Sequence, residues 1–124
     1  MELGPWLGSL TKAMQRGLVK NERYKINPNQ IHSYDRFEWL DWCENNVRGT
    51  EHAGKYQNGS CYKDVFLDVV RHSAVPVEAH KVNLEKDFWL PEEIEFVLND
   101  AVKVWSTAKT LVNEIIPKMI PVPT

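Results

Sequence analysis

The sequence lacks several features that mark common protein classes. It has only two cysteines, Cys43 and Cys61, and no C-x-x-C motif, which argues against a disulfide framework and fits reduced thiols. No run of about 18 apolar residues occurs, so the sequence predicts no transmembrane span. The first residues also lack the charged-then-apolar layout of a signal peptide. We therefore expect a cytoplasmic protein with no membrane contact.

Strong charge of either sign is also missing. The formal net charge is -2, which argues against both a generic nucleic-acid coat and an acidic DNA mimic. The sequence contains no P-loop, G-x-G-x-x-G, G-x-S-x-G or H-E-x-x-H motif, so no specific catalytic chemistry is indicated. With 124 residues, of which 43% are hydrophobic, the chain predicts one globular domain over residues 1–124.

What is present most clearly is a helical pattern near the C-terminus, over residues 91–116. Pro91 suits a first helical turn, two glutamates follow it, and Pro117 ends the pattern. The apolar residues in between recur at steps of three and four: Ile94, Leu98, Ala101, Trp105, Ala108, Val112 and Ile115. The sequence therefore predicts a mainly α fold, with three to four helices packed on this long C-terminal helix.

Shorter patterns predict the other elements. Helical spacing occurs in residues 5–20, 33–47 and 61–72, although the β-branched residues of 61–72 leave a strand open as the alternative. Residues 21–32 carry turn chemistry, and residues 48–60 contain three glycines and predict a loop. Pro76 excludes a central strand from residues 74–84, so we expect a short extended segment there, and an extended tail over residues 120–124.

Two pairs of carboxylates stand three residues apart on predicted helices: Glu38 with Asp41, and Glu92 with Glu95. Facing helices that present such pairs can hold Mg²⁺, which prefers carboxylate oxygens and substrate phosphates. The arrangement resembles the all-α nucleotide pyrophosphohydrolases, and the resemblance implies a Mg²⁺-dependent nucleotide hydrolase that uses these four residues. The same glutamates are also explained by the helix dipole.

Basic side chains form two candidate anion-binding groups. Lys12, Arg16 and Lys20 recur every four residues and form a basic stripe off the apolar face of the first helix. The stripe is either a solvated face or a contact for phosphate or an acidic partner. A second group for phosphate or another ligand is predicted at Lys55, Arg71 and His72, because arginine and lysine are the usual phosphate donors.

Metal ligation receives weaker support. Cys43, His52, Cys61 and His72 are spaced nearly evenly, and His80 follows. Structural zinc sites usually draw their ligands in close pairs, and none occurs here. We therefore predict no metal and no cofactor, with these four residues as weak zinc candidates.

These patterns favour a small intracellular binding or regulatory protein over an enzyme. Such proteins, which phages and mobile elements often encode, act through protein or small-ligand contacts. The nucleotide hydrolase is the first alternative, and nucleic-acid binding through the basic stripe is the second. Because the long helix is apolar over a wide surface, we also predict a homodimer, with an interface at Trp105, Ala101, Ala108 and Val112.

Overall fold

A parallel β-sheet forms the centre of the computed structural model, which describes residues 1–121. Its four strands are β1 (Glu2–Leu3), β2 (Ile31–Asp35), β3 (Val77–Lys81) and β4 (Leu98–Asn99), in the order β3-β2-β1-β4. Every pairing is parallel. The β2–β3 ladder is the longest, pairing Ile31 with Val77 through to Asp35 with Lys81.

The helices are short. They are α1 (Ser9–Lys20), α2 (Glu22–Ile26), α3 (Asp41–Asn46), α4 (Lys63–Val70) and α5 (Trp105–Thr110). A π-helical turn (Leu111–Ile115) and a 3-10 turn (Ile116–Lys118) follow α5. No helix within residues 1–121 has the length and apolar character needed to cross a membrane.

Each face of the sheet is covered by its own apolar cluster. One cluster lies against Val77 and Ala79 and is built from α3, α4 and the segment before α3: Phe37, Trp39, Cys43, Val47, Tyr62, Phe66 and Val70. The other lies on the opposite face and draws on the C-terminal third of the chain: Leu3, Tyr34, Leu84, Ile94 and Ile115. Alternation along β2 and β3 therefore assigns successive side chains to different layers.

Helix α1 packs on the sheet with polar rather than apolar side chains. The buried Glu2 Oε2 accepts hydrogen bonds from Thr11 Oγ1 at 2.6 Å and from Ser33 Oγ at 2.9 Å. One turn further along α1, the buried Gln15 amide donates to the carbonyl oxygens of Val70 and Val75. Gln15 thus joins α1 to the end of α4 and to the segment before β3.

The prediction of a mainly α fold is wrong, because the chain has a four-stranded parallel sheet between layers that contain five short helices. The long helix over residues 91–116 is not formed. Leu98–Asn99 instead pairs with β1, and the Asn99 Oδ1 accepts hydrogen bonds from the backbone N–H groups of Ala101 and Val102. This side-chain turn competes with helix formation, and helix begins only at Trp105.

Several local predictions are confirmed. Helix α1 lies within the predicted 5–20, and residues 63–70 are helical rather than a strand. Residues 77–81 form an edge strand inside the predicted extended segment 74–84. The predicted helix over 33–47 is wrong in its first half, which contains strand β2. Of the predicted tail, residues 122–124 lie outside the described residues.

Candidate metal centre

Three side chains with metal-ligating atoms meet on one face of the β2–β3 ladder. His32 lies on β2, and Glu78 and His80 lie on β3. The register pairs His32 with Glu78, and alternate residues of a strand share a face, so His80 lies on the same side as Glu78. One ligand atom from each of the three lies within 4.8 Å of the other two. No other group of three His, Cys, Asp or Glu residues within 1–121 meets this condition.

The distances within the cluster are close to those of a tetrahedral centre. His32 Nδ1 lies 3.0 Å from His80 Nε2 and 3.6 Å from Glu78 Oε2, and His80 Nε2 lies 4.0 Å from Glu78 Oε1. Two ligand atoms that each lie 2.0–2.1 Å from Zn²⁺ at the tetrahedral angle are about 3.3–3.4 Å apart. The two Glu78 distances belong to different carboxylate oxygens, so Glu78 must move to bring one oxygen to bonding distance from an ion held by both imidazoles.

Aromatic rings hold the two imidazoles in place. The His80 ring stacks on Tyr34, with centroids 4.4 Å apart, and on Trp89, with centroids 5.6 Å apart. Trp89 also lies against His32, at 5.2 Å. The hydroxyl group of the buried Tyr34 donates to the Trp89 carbonyl oxygen at 3.2 Å. Rotation of the His80 ring is therefore restricted before any ligand binds.

Gln30 completes the polar surroundings of the cluster. Its side-chain amide lies 3.2 Å from Glu78 Oε2 and 3.3 Å from His32 Nε2, the ring nitrogen that faces away from His80. When Nδ1 of His32 binds a metal, Nε2 carries the proton and needs an acceptor. A flip of the Gln30 amide would supply its oxygen as that acceptor but would remove the hydrogen bond that the amide nitrogen donates to Glu78. Gln30 is thus placed to hydrogen-bond either His32 or Glu78.

The protonation state of the cluster suits a cation. Burial lowers the pKa of His32, and the neighbouring His80 lowers it further. Burial also lowers the pKa of His80, although Glu78 acts in the opposite direction. The lowered pKa values favour the neutral imidazoles at pH 7, so protons compete less with a metal ion for their lone pairs.

The four carboxylates of the predicted Mg²⁺ site are not brought together in one such group. Asp41 begins α3, whereas Glu38 lies before it in a bridge to Cys61. Glu92 and Glu95 lie outside the helices, and Glu95 Oε2 accepts a hydrogen bond from Asn29 at 3.4 Å. The helical platform assumed for the pairs is absent from residues 91–97, and the enzymatic role of these residues stays a prediction.

No three of the weak zinc candidates come together in such a group within residues 1–121. Cys43 is buried in the α3–α4 cluster, and Cys61 is exposed. His52 lies beside Tyr56 in the loop that joins α3 to α4, with 3.4 Å between Nδ1 and the hydroxyl oxygen. His72 lies in a groove on the far side of the sheet.

The residues of the predicted phosphate-binding group also lie in different parts of the structure. Arg71 pairs with Asp68 at 3.1 Å, and Lys55 lies in the loop that contains His52. His72 lines the groove together with the basic stripe of α1, namely Lys12, Arg16 and Lys20. The structure thus joins one member of the predicted phosphate group to the other basic group.

The sequence analysis did not identify the residues of the metal centre as one group, although Glu78 and His80 lie in the predicted extended segment 74–84. Glu78 and His80 are two apart, so they share a face only in a strand. His32 lies in the segment 21–32, for which turn chemistry predicted a connection, and its pairing with β3 depends on a register between distant residues. The group is therefore visible only once both segments are recognised as neighbouring strands.

Comparison with known proteins adds no further constraint on this centre. No family model, no curated protein and no solved structure matches the chain.

Proposed function

We propose that the protein binds a divalent transition-metal ion through His32, Glu78 and His80. The observation that carries the proposal is the convergence of two imidazoles and a carboxylate from paired strands, with one ligand atom of each within 4.8 Å of the other two. Imidazole nitrogen favours zinc, copper, nickel and iron over magnesium and calcium. The chemistry of the donor set thus supports a transition metal rather than Mg²⁺.

A bound metal ion would cross-link strands β2 and β3. Within residues 1–121, β3 is an edge strand that pairs only with β2, and the three ligands lie across this one ladder. Binding to the folded state alone stabilises it, by about 2.7 kcal/mol when the free metal is at 100 times its Kd. We infer a binding or regulatory protein, in which metal occupancy changes the stability of an edge of the fold.

Zinc titration of the purified, chelator-treated protein tests the proposal. We expect one equivalent of Zn²⁺ to bind and to raise the melting temperature. Replacing both cluster histidines, as His32→Gln with His80→Gln, should weaken binding by more than roughly 100-fold, since loss of a supporting residue alone typically costs 10- to 100-fold.

The chain offers a matched control, because it has four histidines and two lie outside the cluster. A His52→Gln and His72→Gln double variant removes the same number of imidazoles and should bind zinc as the unmodified protein does. Equal affinity of the two double variants would refute the proposal, because zinc would then be held elsewhere or only by scattered surface histidines.

An intracellular location fits this proposal. Both cysteines are free thiols, one buried and one exposed, as expected in a reducing compartment. We propose that the protein works in the cytoplasm, where it would bind metal in competition with other cellular ligands. A biotin-labelling test for surface thiols in cell fractions would measure the redox state of Cys61 directly.

A second proposal is self-association through the C-terminal helical segment. Trp105 is 74% exposed, and Val104 and Val112 are each 56% exposed. An apolar surface of this kind often contacts a partner, and tryptophan is a frequent anchor of interfaces. Ala101 and Ala108, the other two predicted interface residues, are half-buried.

Sedimentation at micromolar concentration tests self-association. We expect a dimer that Trp105→Glu converts to a folded monomer. A monomeric unmodified protein would contradict this second proposal and would leave the metal proposal unaffected.

A further inference from the structure

A basic groove lies on the face of the sheet opposite the metal centre. It runs between α1 and the end of α4, has a volume of about 410 Å³, and is lined by Lys12, Arg16 and Lys20 along α1 and by His72 and Ser73 across from them. Its apolar lining includes Val19 and Val69. The volume falls in the range of ligand-binding clefts.

The positive charge of the groove is not neutralised by the protein. Helix α1 contains three cationic residues and no acidic residue, and none of the groove-lining side chains within 1–121 is acidic. Several other cations are paired with an acidic residue three positions away, such as Lys25 with Glu22 and Lys103 with Asp100. In a chain with a net charge of -2, this is a local concentration of positive charge.

The spacing of the three cations along α1 favours an extended ligand over a single small anion. A step of four residues along a helix is a rise of about 6 Å, so Lys12 and Lys20 are separated by about 12 Å along the axis. A single phosphate would be held by side chains that converge on one point. A row of cations at regular steps instead matches the successive phosphates of a nucleic-acid strand.

We propose that this groove binds the phosphate backbone of a single-stranded nucleic acid. Within the described part of the chain the groove is lined by no Phe, Tyr or Trp, and His72 supplies its single ring, so base stacking is limited to that residue. Binding therefore depends on phosphate contacts and counterion release, and it is independent of base sequence. The groove and the metal centre lie on opposite faces, so the two proposals stand separately.

Fluorescence anisotropy with a labelled 12-nucleotide single strand, as DNA and as RNA, tests the groove. The test variant replaces Lys12, Arg16 and Lys20 with glutamine, which has a helix propensity close to that of lysine. The control variant replaces Arg48, Lys86 and Lys109, three exposed residues outside the groove, and therefore makes the same change in net charge.

We expect salt-sensitive binding by the unmodified and control proteins. Each neutralised phosphate of a single strand contributes about -0.7 to the slope of log K against log salt, so loss of three contacts should reduce the slope by about 2. The groove variant should bind at least tenfold more weakly at low salt. Circular dichroism verifies that both variants fold.

Two results would overturn the proposal. One is equal loss of affinity in the groove and control variants, which would mean that overall charge governs binding. The other is saturable binding of inorganic phosphate that depends on the groove cations while the oligonucleotide does not bind, which would assign the groove to a small anion.

Discussion

Replacing Gln15 with methionine removes a polar connection between α1 and the segment that leads into β3. The side chain is buried, and its amide nitrogen lies 2.8 Å from the Val70 carbonyl oxygen and 3.0 Å from that of Val75. Methionine has a similar length and an apolar end, so it fills most of the same space and donates no hydrogen bond. Both carbonyl groups would then lie against a thioether.

The expected cost follows from the two acceptors. A buried acceptor left without a partner costs about 1–3 kcal/mol, and a carbonyl that also finds water costs less. We expect Gln15→Met to lower the free energy of unfolding by about 2–4 kcal/mol. Gln57 is exposed, so Gln57→Met is a matched control that should change stability by less than about 0.5 kcal/mol.

Urea denaturation of the two variants and the unmodified protein measures this difference through the midpoint and the slope. A loss below about 0.5 kcal/mol for Gln15→Met would refute the reasoning, because it would mean that the two carbonyls need no partner from α1. A loss of similar size in Gln57→Met would show that methionine itself, and not the missing hydrogen bonds, destabilises the chain.

Further predictions concern Glu2, two glycines and the cluster around α4. Burial raises the pKa of Glu2 above its ordinary value of 4.5. The contribution of Glu2 to stability should therefore be fully present below that value and be lost as pH rises through the raised pKa, by up to about 1.4 kcal/mol per pH unit. The difference between the urea midpoints of the unmodified protein and of Glu2→Gln, measured from pH 4 to 8, isolates this contribution. Gly8 has a φ of +92°, and a Cβ there would lie 2.9 Å from Val70 Cγ1, so Gly8→Ala should cost about 1–3 kcal/mol by thermal unfolding. Gly17 lies in α1 with open space around it, so Gly17→Ala should instead gain up to about 1 kcal/mol. The two glycine substitutions should therefore change the free energy of unfolding in opposite directions. Phe66 is fully buried, and Phe66→Ala should cost about 3–5 kcal/mol.

The sequence allowed the helices α1 and α4 to be predicted because their signals are local. In both, apolar residues recur at helical spacing within a dozen residues, and the structure forms the helix at that place. The same criterion failed over residues 91–116, where apolar spacing is as regular. There a two-residue pairing with β1 and the Asn99 turn outweigh helical propensity, which is a weak determinant beside tertiary contacts.

The sheet could not be predicted from the sequence because its strands are short and pair with residues far away along the chain. β1 and β4 have two residues each, and β1 joins residue 2 to residues 33 and 98. No periodicity is visible in a two-residue strand. The metal centre depends on the same information, since His32 and His80 are 48 residues apart and meet only through the β2–β3 register. Tyr34 and Trp89, which enclose His80, are likewise known only from the fold.

X-ray absorption at the zinc edge of the zinc-loaded protein tests the metal centre most directly. Coordination by His32, His80 and Glu78 predicts two imidazole nitrogens at about 2.0–2.1 Å, with oxygen in the remaining positions. The imidazole signal should disappear in the His32→Gln and His80→Gln double variant. Sulfur at about 2.3 Å would assign the metal to Cys43 or Cys61, and a spectrum with oxygen alone would contradict a histidine centre altogether.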